Sequence, residues 1–289
     1  MSFLRFLKSN ILYIIWFATY FTIAWFIFGA NAKSFAIVSV IYSISMITAL
    51  SPVGEILLRG MQGCRLPVTE QEKNYLLPLF EEVYENAKQE NPSLNRGIKI
   101  YVMDEMYVNA FAVGRKTIAV TRGALSTFTR DELKGILAHE LGHMTFGHTK
   151  ALLLSCIGNI LFTFIIFVLR LALNILQVIS GVTAHFNVIG AIIAIPTFIV
   201  KLIFEMSIFV FINAGEMFLS INSRVNEFEA DKFAYTIGFG KELTDSLYLL
   251  QKISMNAKMT LSQKMKSSHP HTASRIQNLE RLENMAYQQ

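Results

Sequence analysis

Residues 129–150 read TRDELKGILAHELGHMTFGHTK, and the rest of the chain is best read outward from this stretch. Thr129 and Glu132 have the spacing of a capping box, in which threonine and glutamate side chains satisfy each other's free backbone N–H groups. The spacing predicts a helix running through Lys150, with His139, Glu140 and His143 in its middle. Four residues advance an α-helix by about 40° past a full turn, so both imidazoles project from one face. Two neutral imidazoles so placed can hold one Zn²⁺, leaving room for a third protein ligand and a water. Glu140, next along the helix, could then take a proton from that water.

A third ligand has two candidates. His148 is nine residues past His139, about 180° round a continuous helix. The glycine-broken pattern HExxHxxGxxH would bring a third histidine back, but Phe146 and Thr149 occupy its two defining positions. His148 is therefore expected to be a polar residue near a membrane interface. The second candidate lies in Ser223-Arg224-Val225-Asn226-Glu227-Phe228-Glu229-Ala230-Asp231. Glu227 and Asp231 share a helix face. Glu227 can give a carboxylate to the metal, and Asp231 can accept the N–H of a ligating histidine and so fix its tautomer.

Between these two motifs the chain turns apolar. Of 289 residues, 53% are hydrophobic and only 16% are Asp, Glu, Lys or Arg, against about 25% charged in an ordinary soluble domain. That composition excludes a disordered chain and a collagen-like fibre. Two cysteines exclude a disulfide scaffold, and the net charge of +5 rests on too few basic residues to suggest nucleic-acid binding. Ile11–Ala30, Ser34–Gly54 and Ala151–Leu169 carry no charge, and Leu171–Val200 carries only His185 as a titratable group. A spanning helix needs about 20 apolar residues, so four apolar helices are expected. Lys201 and Glu205 are spaced to pair on one helix face.

Arg5 and Lys8 precede the first apolar segment, and Ala30-Asn31-Ala32 resembles a cleavage site. A long apolar core followed at once by a second span favours an uncleaved anchor. Arg59, Arg65 and Lys150 flank the later spans, while residues 171–200 hold no Lys or Arg. The positive-inside rule then puts residues 55–150 and 223–289 on the cytoplasmic side, with a turn near 180–187 facing out. A metal site cannot be shared across a bilayer, so residues 151–222 must cross it an even number of times. Cys64 and Cys156 fall in different environments and are expected to be inert packing residues.

The aqueous segments carry mixed signals. Thr69 and Glu72 form a second capping box opening a helix to about Glu90. Ile98–Met103 is β-rich, and Val108–Val113 and Thr117–Thr121 flank a turn at 114–116, a predicted hairpin. Helices are expected near 223–238, 241–258 and 272–286. The expected fold is thus a mainly α membrane protein: four apolar helices and one cytosolic, gluzincin-like α+β domain with a small mixed sheet and an HExxH helix. Residues 1–54 form an N-terminal transmembrane hairpin and 55–150 the first part of the catalytic domain. Residues 151–222 form a second hairpin and 223–289 the second part of that domain.

HELGH, then SRVNEFEAD after two apolar segments, with two more such segments at the N-terminus, resembles the HtpX family. These are bacterial membrane zinc endopeptidases related to the type I CAAX prenyl proteases. The resemblance implies one Zn²⁺ held by His139, His143 and Glu227, with Glu140 as catalytic base and Asp231 behind the ligands. It implies an inner-membrane, multi-pass protein whose polypeptide substrates are misfolded or damaged membrane proteins under stress. Asn109-Ala110-Phe111-Ala112 is similar to a family strand beside the active-site helix, to which an extended substrate would add as a further strand. Ser268-His269-Pro270 with Arg275 resembles a C-terminal element near the metal, where His269 or Arg275 could stabilise an oxyanion. Two other readings of the same residues are a site-2-type intramembrane protease, which needs HExxH inside an apolar span, and a chaperone-like scaffold with a structural metal. A structural zinc would have four protein ligands.

Overall fold

The computed structural model describes residues 3–154, 158, 160–256 and 272–286. Cys156 and Ser268–Pro270, including His269, lie outside them. The chain divides into two compact units, residues 1–45 with 158–221 and residues 46–157 with 222–289.

The first unit is built from apolar helices. Helix α1 (Phe3–Ile27) and α2 (Ala32–Leu50) pack through edge-on aromatic contacts of Phe21 with Phe35 and Tyr42, at 5.3 and 5.7 Å between ring centres. Three helical stretches are long and apolar enough to cross a membrane: Ala32–Leu50, Thr163–Phe186 and Val188–Val210. A shorter apolar stretch, Ile14–Ile27, lies in α1 among the described residues. Towards the C-terminus of this unit, α8 (Ile160–Phe186) turns at Asn187 into α9, which runs unbroken from Val188 to Thr236. Asn187 Oδ1 accepts from Gly190 N at 2.7 Å and opens that helix. The expected pairing of Glu205 with Lys201 gives way to a bond across the hairpin, in which Arg170 Nε donates to Glu205 Oε1 at 2.8 Å. Arginine's planar fork matches a carboxylate facing it better than a lysine on the same helix can.

The second unit holds a sheet of order β1-β3-β2. Strand β1 (Lys99–Met103) runs parallel to β3 (Thr117–Thr121), and β2 (Ala110–Val113) pairs antiparallel with β3 in the expected hairpin. The chain enters this unit through α3 (Pro52–Met61) and α4 (Glu70–Glu90). Short α5 (Arg122–Thr127) leads into α6 (Arg130–Phe146), and α7 (His148–Leu153) follows. Both predicted capping boxes form, at Thr69–Glu72 and at Thr129–Glu132. Helices α10 (Gly240–Asn256) and α11 (Thr272–Ala286) close the core. Leu79 and Val83 of α4, Ile118 and Val120 of β3, Leu137 and Leu141 of α6, and Leu243 of α10 are all buried in it. Each such side chain contributes roughly 1.5–3 kcal/mol on burial, so α6 is firmly anchored in the core. It supplies the rigid platform for His139 and His143.

Two expectations about helix ends are corrected. Helix α6 stops at Phe146 instead of continuing to Lys150, because Gly147 adopts φ 77° and ends it. A left-handed residue at that position is the usual helix terminator, and glycine takes it without steric cost. The helix expected to begin near residue 223 is instead the end of α9, since no proline interrupts residues 197–236.

Candidate metal centre

The close approach of α6 and α9 has a local cause. A Cβ added to Gly142 would sit 2.9 Å from the Cα of Ala230, so the two helices can touch only because glycine faces alanine. That contact delivers Glu227 to the histidines. His139 Nε2 and His143 Nε2 lie 3.1 Å apart. Glu227 Oε2 is 3.5 Å from the first, and Glu227 Oε1 is 3.4 Å from the second. All three residues are buried and offer ligand atoms within 4.8 Å of one another. Tetrahedral zinc with bonds of about 2.0–2.1 Å sets its ligand atoms about 3.3 Å apart. The observed triangle fits that geometry, and imidazole and carboxylate are the donor types zinc takes.

Charge points the same way. Glu140, Glu227, Asp231 and Arg275 are all buried. Three carboxylates and one guanidinium leave an excess of two negative charges, which a divalent cation would balance. Burial and the Arg275 charge oppose protonation of His139, yet Asp231 and Glu227 outweigh them and raise its pKa. Burial, with His139 beside it, lowers that of His143. Asp231 is pulled below the usual carboxylate range, as Arg275 and His139 overcome the penalty of burial.

The residues around the triangle fall into two sets. Asp231 Oδ1 lies 2.8 Å from His139 Nδ1. Arg275, at the start of α11 and 2% exposed, holds both acids. Its Nε and Nη2 donate to Asp231 at 2.8 and 2.6 Å, and Nη1 lies 2.9 Å from Glu227 Oε2. Arg275 thus bonds to both acids of the centre.

Sequence reasoning missed the second set. Because Gly147 breaks the helix, His148 swings back until its Nδ1 is 3.0 Å from His143 Nδ1. Its Nε2 lies 3.3 Å from Glu229 Oε2. Burial and the neighbouring imidazole of His143 lower the His148 pKa to about 3, so it is neutral at physiological pH. His148 therefore lies against the Nδ1 side of His143, away from Glu227. The available signal was the glycine directly before it.

Asn109 directly precedes β2, and Ala110 is its first residue. Asn109 N donates to Thr121 Oγ1 at 3.0 Å, and Ala110 pairs with Val120. β2 is an edge strand, and the Ala110 and Ala112 side chains are buried in the core.

A family model described as Peptidase family M48 matches residues 70–283. The chain belongs to peptidase family M48. Among curated M48-type relatives, it is 28% identical to a Protease HtpX homolog of Campylobacter concisus over 75% of this chain and 77% of that one. It is 32% identical to a Protease HtpX homolog of Dictyoglomus turgidum, over 48% of this chain. The match spans 44% of the Dictyoglomus protein, and the matches to homologues from Helicobacter acinonychis and Aquifex aeolicus span 28% and 27% of theirs. The fold of this M48 chain is also similar to the crystal structure of S. mikatae Ste24p. The TM-score is 0.51 at 18% identity, over 94% of this chain and 63% of that one.

Proposed function

We propose that the protein is a membrane-bound zinc endopeptidase whose active site faces the cytoplasm. The observation that carries this reading is the buried triangle of His139, His143 and Glu227 on two helices, with Glu140 adjoining it in sequence. Membership of a peptidase family and the HtpX relatives support it. Bound zinc would polarise a peptide carbonyl and lower the pKa of a water toward 7.

The protein's own groups do the rest. Asp231 accepts the Nδ1–H of His139, which leaves Nε2 as the lone-pair donor. His143 must likewise carry its proton on Nδ1 if Nε2 is to ligate. His148 Nδ1 then accepts a hydrogen bond from that N–H, and His148 Nε2–H donates to Glu229 Oε2. Glu140 takes a proton from the attacking water and returns it to the leaving amine. An extended substrate adds to the edge of β2, bound mainly through its backbone. By the HtpX likeness the substrates are membrane or misfolded proteins in membrane quality control.

We infer four spans, with α1 joining the three long apolar helices, and an even crossing by the hairpin α8–α9. The run of Lys and Arg at the inner ends supports the orientation. Helix α6 belongs to the unit with the sheet and begins in a polar capping box, which weighs against intramembrane chemistry. Among the described residues no fourth protein group joins the three, which weighs against a purely structural metal. The test is Glu140→Gln. The variant should retain one zinc per chain by metal analysis and lose about 10²–10⁴-fold in cleavage of a membrane-protein substrate. Undiminished cleavage would refute the role.

A further inference from the structure

Helix α3 has an unusual exposed face. Val53, Ile56, Leu57 and Met61 are 53, 55, 42 and 70% exposed, spaced as one stripe of a helix. Pro52 and Gly60 complete the exposed side, so no charged residue stands on it. Leu66 and Val68, shortly after the helix in sequence, are also exposed, at 48 and 66%. The opposite side is fully used: Gly54, Glu55 and Leu58 are buried. A helix on the wetted surface of a folded unit ordinarily carries charge on its outer face.

What covers this stripe follows from where the chain has just been. The candidate span Ala32–Leu50 ends two residues before α3 begins. Ser51 between them is extended, at φ −84° and ψ 168°, and its Oγ caps Val53 N. The helix direction therefore breaks where the apolar span stops. The last turn of α2 belongs to the same compact unit as α3, and Ala49 and Leu58 share one buried cluster. The end of the span thus fixes the depth of α3. At about 15 Å α3 is too short to cross a core of about 30 Å, and its exposed face carries none of the arginine or aromatic anchors of a protein interface, since Arg59 turns aside to Tyr101.

We propose that the Val53–Met61 face of α3 lies in the headgroup–acyl boundary of the bilayer, docking the second unit on lipid. This goes beyond the peptidase reading and rests only on the membrane reading. The buried side of α3 connects that contact to the sheet. Glu55 accepts from Arg115 N at 3.0 Å, Lys116 N at 3.1 Å and Thr117 Oγ1 at 2.7 Å, which clamps the β2–β3 turn. Leu58 packs on Val113 at the end of β2. A lipid-docked α3 thereby sets the height of the edge strand above the membrane.

The experiment uses the full chain with Cys64→Ser and Cys156→Ser, reconstituted in phosphatidylcholine–phosphatidylglycerol nanodiscs. Single cysteines replace Ile56, Leu57 or, as an aqueous control, Glu81 on α4, and each carries a fluorescent probe. Probes at 56 and 57 should be quenched several-fold more by nitroxide-labelled lipid than the probe at 81, and several-fold less by a water-soluble nickel chelate. Equal access of the chelate to all three sites overturns the proposal. Shielding from both quenchers also overturns it, and energy transfer between donor- and acceptor-labelled copies would then identify a second chain as the occupant. None of these outcomes depends on bound metal or on cleavage, so a failed peptidase reading leaves the result unchanged.

Discussion

His139 and His143 are held by different means. His139 is fixed by Asp231, whose charge is in turn matched by Arg275, so its anchor is ionic and buried. His143 is fixed by a neutral imidazole that passes the hydrogen bond on to Glu229, a half-exposed carboxylate. Removing that imidazole leaves His143 Nδ1 without its acceptor and its ring free to rotate. His148→Ala should therefore weaken zinc binding about 10–100-fold, the range for lost outer partners of ligating histidines. Competition with a chelator of known affinity measures it, and activity should recover at saturating zinc. An affinity within twofold of wild type would remove His148 from the site. The effect of Glu229→Gln should be smaller, because an amide oxygen can still accept from Nε2.

At the level of elements, α4 shows how much a local pattern can carry. Glu72 accepts from Val68 N and Thr69 N, closing its capping box, and pairs with Arg65 at 2.7 Å. Arg65 also grips Asp104 at the end of β1, so one arginine ties α4 to the sheet. Arg65, with the backbone N–H bonds, lowers the Glu72 pKa to about 2 from its ordinary 4.5. A carboxylate depressed in the folded state stabilises the protein above its unfolded pKa and loses that contribution as pH falls through the folded one. Glutamine keeps the cap but not the charge. The wild-type advantage over Glu72→Gln, read as a difference in thermal midpoint, should be constant above about pH 4.5 and vanish towards pH 2. A gap that persists at pH 2 would assign it to packing instead. This helix, both capping boxes and the hairpin were legible because each depends on residues within a few positions of one another. Periodicity also placed His139 and His143 on one face. It failed at Gly147, where apolar spacing suggested continuation and the glycine's left-handed turn decided otherwise. It could not see Arg275 on Asp231 either, since no spacing rule links residues 44 positions apart. The bond from Arg170 to Glu205 was hidden for the same reason.

Across the whole molecule, the candidate centre joins two stretches of sequence that the apolar hairpin separates, and both belong to one compact unit. Three carboxylates and a guanidinium buried together are costly without a cation, so zinc should act as a folding partner of that unit. A ligand at 1,000 times its Kd adds about 4 kcal/mol to stability. For a body of 150–250 residues, each kcal/mol shifts the melting temperature by about 2–4 °C. Chelation should therefore lower the midpoint of the sheet-containing unit by about 8–16 °C, while α8, which supplies no ligand, keeps its own. Hydrogen exchange resolves the two: protection should fall along α6, the last turns of α9 and α11, and hold in α8. Glu227→Ala should start near the chelated value and respond little to chelator, since it lacks the carboxylate that joins α9 to the histidines. If chelation lowers wild type and Glu227→Ala equally, the metal binds elsewhere and the two helices meet for reasons of packing alone.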